Sequence, residues 1–158
     1  MRYANIIYND TVNVNSGVAL TVFSQGCTHY CKDCFSKDTW DFNGGKEWTN
    51  NDEKSLMYCL KNFKYDWLCL CGGDPLMNID FCNYFINICK KYQPNIKVWC
   101  YTGYELVDII YLDVLKNIDV LKCGRFEKDK KVVGKLYGSS NQKIYEKING
   151  EWIMCKNI

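Results

Sequence analysis

The sequence predicts an α/β fold, a partial and open TIM-like barrel of about four to five βα units with a C-terminal hairpin, in one domain spanning residues 1–158. Three observations lead there. Short apolar runs alternate with segments of helical periodicity, so strands joined by crossover helices, and hence a parallel sheet, are expected. The chain has 158 residues, whereas a full eight-fold barrel needs about 250. No repeat, low-complexity run or Pro/Gly-rich linker divides it.

The elements follow in order. Val18–Phe23, Trp67–Cys71, Ile96–Tyr101 and Ile118–Cys123 read as strands, and the unbroken apolarity of WLCLC suits a strand covered on both faces. Leu56, Cys59, Leu60 and Phe63 repeat at helical spacing, with Thr49-x-x-Asp52 as a capping box before them. Cys82, Phe85, Ile86 and Cys89 form a second such stripe, and Val107, Ile110, Tyr111 and Val114 a third. Near the end, KIYEKI and EWIMC flank Asn149-Gly150, a strong hairpin signal.

Composition narrows the function. Apolar residues make up 47% and charged residues 24%, ordinary for a globular protein, while 15% aromatics put large rings in the core. A net charge of +2 gives no reason to expect nucleic acid or an anionic membrane as partner. No stretch is long enough to span a bilayer, and the polar start MRYANIIYND is no signal peptide, so a cytoplasmic protein is expected.

Eleven cysteines stand out, an odd number without an export signal, which argues against a disulfide scaffold. Three of them, Cys27, Cys31 and Cys34, lie in SQGCTHYCKDCF right after the first strand. Loops of two or three residues let such thiolates face one compact centre, and soft thiolates favour iron–sulfur or zinc. Held by three cysteines, a [4Fe–4S] cube keeps one iron without a protein ligand, a vacancy where chemistry can occur. A zinc site would want a second C-x2-C knuckle, or His29 as its fourth ligand in a crowded CTHYC turn. A metal-free cluster would leave three oxidisable thiols in one loop. Iron–sulfur is the favoured reading. The other eight cysteines alternate with apolar residues and are expected to be core packing.

Function in a parallel sheet gathers at the carboxyl ends of the strands. The cysteine loop, Gly72-Gly73-Asp74-Pro75, Thr102-Gly103-Tyr104 and Gly124-Arg125-Phe126 all fall at such ends. Gly72 and Gly73 would let the backbone approach a ligand, with Asp74 accepting from an ammonium group; an ordinary turn is the alternative. Thr102 would touch a ribose or carboxylate, or only cap its strand. Arg125 would pair with a carboxylate or stay solvated. Gly138 to Gln142 is a polar loop able to donate several hydrogen bonds, and Lys128 to Lys131 reads as a solvated turn.

These residues resemble the radical S-adenosylmethionine superfamily, and more finely its smallest members, the anaerobic ribonucleoside-triphosphate reductase-activating proteins. SQGCTHYCKDC, GGDP, WCYTGY, KCGRF and GSSNQ match that family's motifs in order, from about Val18 to Gln142. The resemblance implies that Cys27, Cys31 and Cys34 ligate the cluster. It also implies that Gly72, Gly73 and Asp74 receive the amino group of S-adenosylmethionine, with Thr102 and His29 as further cofactor-binding candidates. The implied reaction is reductive cleavage to a 5′-deoxyadenosyl radical that takes hydrogen from a glycine near the C-terminus of the reductase large subunit. A one-electron donor such as flavodoxin is implied as second partner. This chain departs from common patterns at Asp33, where many superfamily members carry an aromatic, at Asp74 in place of Glu, and at Cys123 in place of an acid. The alternatives are an activase of another glycyl radical enzyme, a small-molecule radical enzyme such as a deazapurine-forming synthase, and a non-enzymatic metal-binding or redox-sensing module.

Overall fold

The computed structural model describes residues 1–155. An opening strand β1 (Arg2–Asp10) runs antiparallel to β2 (Ala19–Ser24). A two-residue strand β3 (Lys46–Glu47) follows, pairing with β1, and then helix α1 (Asn50–Asn62). Strand β4 (Trp67–Gly72), helix α2 (Ile79–Tyr92) and strand β5 (Lys97–Tyr101) come next. A short helix α3 (Leu106–Ile109) leads to β6 (Val120–Cys123), and the hairpin β7 (Lys143–Ile148) and β8 (Glu151–Met154) ends the described chain.

All eight strands join one sheet in the order β3-β1-β2-β4-β5-β6-β7-β8. Only β2, β4, β5 and β6 are parallel; the strands flanking them are antiparallel. The α/β class and the openness hold; in place of four to five βα units the structure has four parallel strands joined by three crossovers, within an open mixed sheet of eight. The reason is pairing that local pattern does not reveal. The segment read as a polar start is β1, whose Tyr3, Ile6 and Tyr8 pack on the core while Asn5, Ile7 and Asn9 face outward.

The alternation of β4 explains its continuous apolarity. Leu68 and Leu70 face α1 and α2, packing with Leu56, Leu60, Phe81 and Phe85. Trp67, Cys69 and Cys71 face the other side, against Trp99, Val120 and Val14. Both sides of the strand are therefore dry, as parallel strands require. The capping box forms as expected: Asp52 N donates to Thr49 Oγ1 (3.3 Å) and Thr49 N to Asp52 Oδ2 (2.8 Å). Asn149 and Gly150 have φ of 51° and 87°, the left-handed pair of a type I′ hairpin turn.

The helical stripes fare unequally. Cys82, Phe85, Ile86 and Cys89 are all buried on α2. On α1, Leu56 and Leu60 are buried, Cys59 is half-buried, and Phe63 lies exposed just past the helix. The third stripe is not a helix face. Extended backbone at Leu112 stops the helical run, and a 3-10 turn over Asp113–Asn117 resets its phase. Val107, Ile110 and Tyr111 are exposed, and the buried residues are Ile109, Val114, Leu115 and Ile118. No helix among the described residues is long and apolar enough to cross a membrane.

Candidate iron–sulfur site

The cysteine loop leaves β2 and is pinned at its root, with Gly26 N donating to Thr39 O (2.8 Å) and Cys27 N to Trp40 O (3.0 Å). Tyr30 (φ 48°) and Asp33 (φ 57°), the residues just before Cys31 and Cys34, adopt the left-handed conformation. Such backbone is uncommon outside glycine and concentrates at functional sites. Asp33 is held by Lys128 (2.7 Å) and Lys37 (3.7 Å), and the hydrogen bond from Lys128 keeps its carboxyl below the usual range. Lys128 to Lys131 are all exposed, as expected of a solvated turn, with Lys128 meeting Asp33 at the surface.

Cys27 is buried, while Cys31 and Cys34 are half-buried. All three line one cavity of about 270 Å³. Gly72 and Gly73 line it too, with Thr102 and Gly103, Gly124 and Arg125, and Gly138 and Gln142 of the polar loop. Every rim turn singled out in the sequence therefore meets the cysteine loop. The polar loop is tied in by Gln142, whose Nε2 donates to Gly124 O (2.7 Å) while its Oε1 accepts from Gly138 N (2.8 Å).

The two glycines are explained by what they approach. A Cβ on Gly73 would lie 2.3 Å from Gly26 O, and one on Gly72 (φ 110°) would lie 2.4 Å from Ser24 N and O. Gly73 N donates to Ser24 O (3.0 Å) and Asp74 N to Gly26 O (2.9 Å). The Gly-Gly turn is pressed backbone to backbone against the root of the cysteine loop, and only glycine fits there. Asp74 is buried, 1% exposed, with its carboxylate turned to donors within the protein. Thr102 is one of those donors, and His29, on the wall of the cavity, is another.

Several residues of the cavity wall had no role predicted from the sequence. Asn13, Phe23, Cys71, Tyr101 and Lys122 line the cavity from the sheet side, and Phe35, Trp40 and Phe126 from its rim. Lys122 was legible in principle, as a charge within an otherwise apolar strand. Burial pushes its amine down to about 8, against an ordinary 10.5, and it lies 5.5 Å from the Tyr101 ring centroid. Cys71 Sγ lies 3.4 Å from Cys69 Sγ, so this thiol is both core packing and cavity wall. Of the other seven cysteines set aside as packing, Cys69, Cys82, Cys89, Cys100 and Cys123 are buried, and Cys59 and Cys155 half-buried. Burial pushes Cys123 up to about 12, as expected of an inert packed thiol.

Three soft thiols on one cavity suit an iron–sulfur cluster. Burial pushes Cys27 up to about 11, so metal must displace its proton. Among the described residues, no three His, Cys, Asp or Glu side chains are arranged to hold a single metal ion. His29, the remaining zinc candidate, has its Nε2 committed to Asp74.

Comparison with known proteins agrees. Residues 15–145 match the family described as a 4Fe-4S single cluster domain, which sets the class of the protein. The chain is 33% identical over 154 residues to the anaerobic ribonucleoside-triphosphate reductase-activating protein of Enterobacteria phage T4, covering 96% of this chain and 98% of that one. The protein of that name from Pasteurella multocida (strain Pm70) is 36% identical, with 92% of this chain and 97% of its own length covered. That of Escherichia coli (strain K12) is 32% identical, with 92% and 98% covered. This chain belongs to the family of anaerobic ribonucleoside-triphosphate reductase-activating proteins.

Proposed function

We propose that Cys27, Cys31 and Cys34 hold a [4Fe–4S] cluster whose open iron takes S-adenosylmethionine, and that the protein generates a glycyl radical on the large subunit of anaerobic ribonucleoside-triphosphate reductase. The observation that carries this reading is the convergence of three thiols and four rim turns on one cavity. Held by Cys27, Cys31 and Cys34, a reduced cluster would supply the single electron for reductive cleavage of S-adenosylmethionine, and the hydrogen atom removed from the reductase glycine would leave in 5′-deoxyadenosine, with methionine as the other product.

The chain's own part is placement and exclusion of water. The pinned root of the cysteine loop fixes Cys27, and the left-handed turns aim Cys31 and Cys34. The Gly72-Gly73 turn offers backbone to the amino group of S-adenosylmethionine, and Lys122 and Arg125 are cations on the cavity wall suited to its carboxylate. Phe35, Trp40 and Phe126 form an apolar rim. In this reading the four parallel strands are a partial barrel of the radical S-adenosylmethionine type, and the protein substrate covers the open mouth. A one-electron donor such as flavodoxin supplies the reductant.

Anaerobic reconstitution with iron and sulfide, reduction, and quantification of 5′-deoxyadenosine test the reading. Cleavage that needs both reductant and cluster supports it. A cluster that reduces but never cleaves S-adenosylmethionine sinks it in favour of a redox or metal-binding module.

A further inference from the structure

Three motifs of this chain meet at a single buried carboxylate. Asp74 Oδ1 accepts from Leu76 N (3.0 Å) and Thr102 Oγ1 (3.0 Å). Its Oδ2 accepts from Gly103 N (2.8 Å) and lies 2.9 Å from Thr102 Oγ1. The fourth donor is His29, whose Nε2 is 2.7 Å from Oδ2; with the carboxylate accepting from every other neighbour, that nitrogen carries the proton. Asp74 is 1% exposed and is not on the cavity wall.

The neighbours of this contact are shaped for it. Gly103 leaves the space that the imidazole fills, since a Cβ there would lie 2.3 Å from His29 Cδ2. Tyr104 packs edge-on against the same ring, with centroids 4.7 Å apart. His29 sits between Cys27 and Cys31, so its ring ties the loop to Asp74 in the turn after β4, and through that carboxylate to Thr102 and Gly103 after β5.

We infer that Asp74 and His29 are positioning residues that lock the cysteine loop to the turns after β4 and β5, and that the Asp74 side chain acts on the loop rather than on the amino group of S-adenosylmethionine. Four donors occupy both oxygens, which leaves no outward lone pair for a fifth group without breaking the lock. Hydrogen bonds to a buried charge are the strong kind, and removing one partner strands the other. The arrangement gives GGD, TGY and the histidine of CTHYC one shared purpose: holding the loop at the depth where its thiols face the cavity.

The inference rests on the cluster assignment proposed above, and its test separates the two. Wild type, His29→Ala, Asp74→Asn and the double variant are reconstituted anaerobically and reduced. Their paramagnetic resonance spectra are recorded before and after adding S-adenosylmethionine, and cluster loss is followed by absorbance under a chelator. Each single variant should alter the cluster spectrum before any S-adenosylmethionine is present and lose its cluster about tenfold faster, as loss of one buried charged hydrogen bond implies. The double variant should be no worse than Asp74→Asn alone, because that substitution already breaks the contact that His29→Ala removes. His29→Gln, which keeps a donor in the place of Nε2, should recover part of the retention at an unchanged melting temperature. If Asp74→Asn and His29→Ala keep the wild-type cluster spectrum and retention and weaken only the response to S-adenosylmethionine, Asp74 is a direct ligand and the inference is wrong. Additive losses, or no recovery in His29→Gln, overturn it equally. A wild type that loads its cluster but does not cleave S-adenosylmethionine defeats the proposed function while leaving the lock standing.

Discussion

The bare Cα of Gly103 lies against the imidazole of His29, where an added Cβ would be 2.3 Å from Cδ2 and 2.6 Å from Nε2. The ring cannot swing away without giving up Asp74 and its packing on Tyr104. Gly103→Ala should therefore destabilise the protein by about 1–3 kcal/mol, the usual penalty of overpacking. Urea unfolding measures it. Wild-type stability in this variant would mean that the ring moves freely and holds nothing.

The division of the cysteines makes a second prediction. Cys27→Ala should abolish cluster loading, measured as iron and sulfide per chain. Cys82, fully buried on α2 with its thiol donating to Pro75 O (3.0 Å), should behave otherwise. Cys82→Ala should lower stability by about 1 kcal/mol through the small cavity it leaves, with iron content unchanged. Half-buried Cys59→Ala should leave both cluster and cleavage intact. Loss of iron from either of these two would redraw the ligand set.

Local chemistry made the loop and rim turns readable, and non-local pairing hid the rest. The C-x3-C-x2-C spacing points to a metal centre because short loops alone bring its thiols together. The four parallel strands were legible as apolar runs within one or two residues of their ends. Strand β1 was not, because its partly polar alternation becomes a strand only beside β2. The third helical stripe misled because helical spacing persists in sequence through a backbone that has left the helix after Ile109 and is extended at Leu112. Asp74 drew a ligand role from its motif; that four protein donors already surround it is a tertiary fact no spacing reveals.

That broken stripe is itself testable. Tyr111 is 78% exposed and Val114 is 4% exposed. Tyr111→Ser should change stability by no more than about 0.5 kcal/mol, whereas Val114→Ala should cost roughly 1–2 kcal/mol. A large loss from Tyr111→Ser would restore the continuous helix face.

Lys122 should impose a pH-dependent penalty. Burial holds its folded-state amine at about 8, below the 10.5 of the unfolded chain. Between those values the unfolded state binds more protons, so stability rises with pH, and the penalty is full below about 8. Lys122→Met should raise the melting temperature at pH 7 by about 2–4 °C, for a gain on the order of 1 kcal/mol. The gain should shrink as pH rises from 8 towards 10. Melting curves across that range check it, and a gain independent of pH would point to packing alone.

The central claim is tested most directly by mixing the reconstituted, reduced protein with the large subunit of an anaerobic ribonucleoside-triphosphate reductase and S-adenosylmethionine, and recording the paramagnetic resonance spectrum. The expected result is a glycyl radical on the reductase that needs S-adenosylmethionine and disappears with Cys27→Ala. A reduced cluster that leaves the reductase without a radical, while S-adenosylmethionine is still cleaved, would contradict the assigned partner.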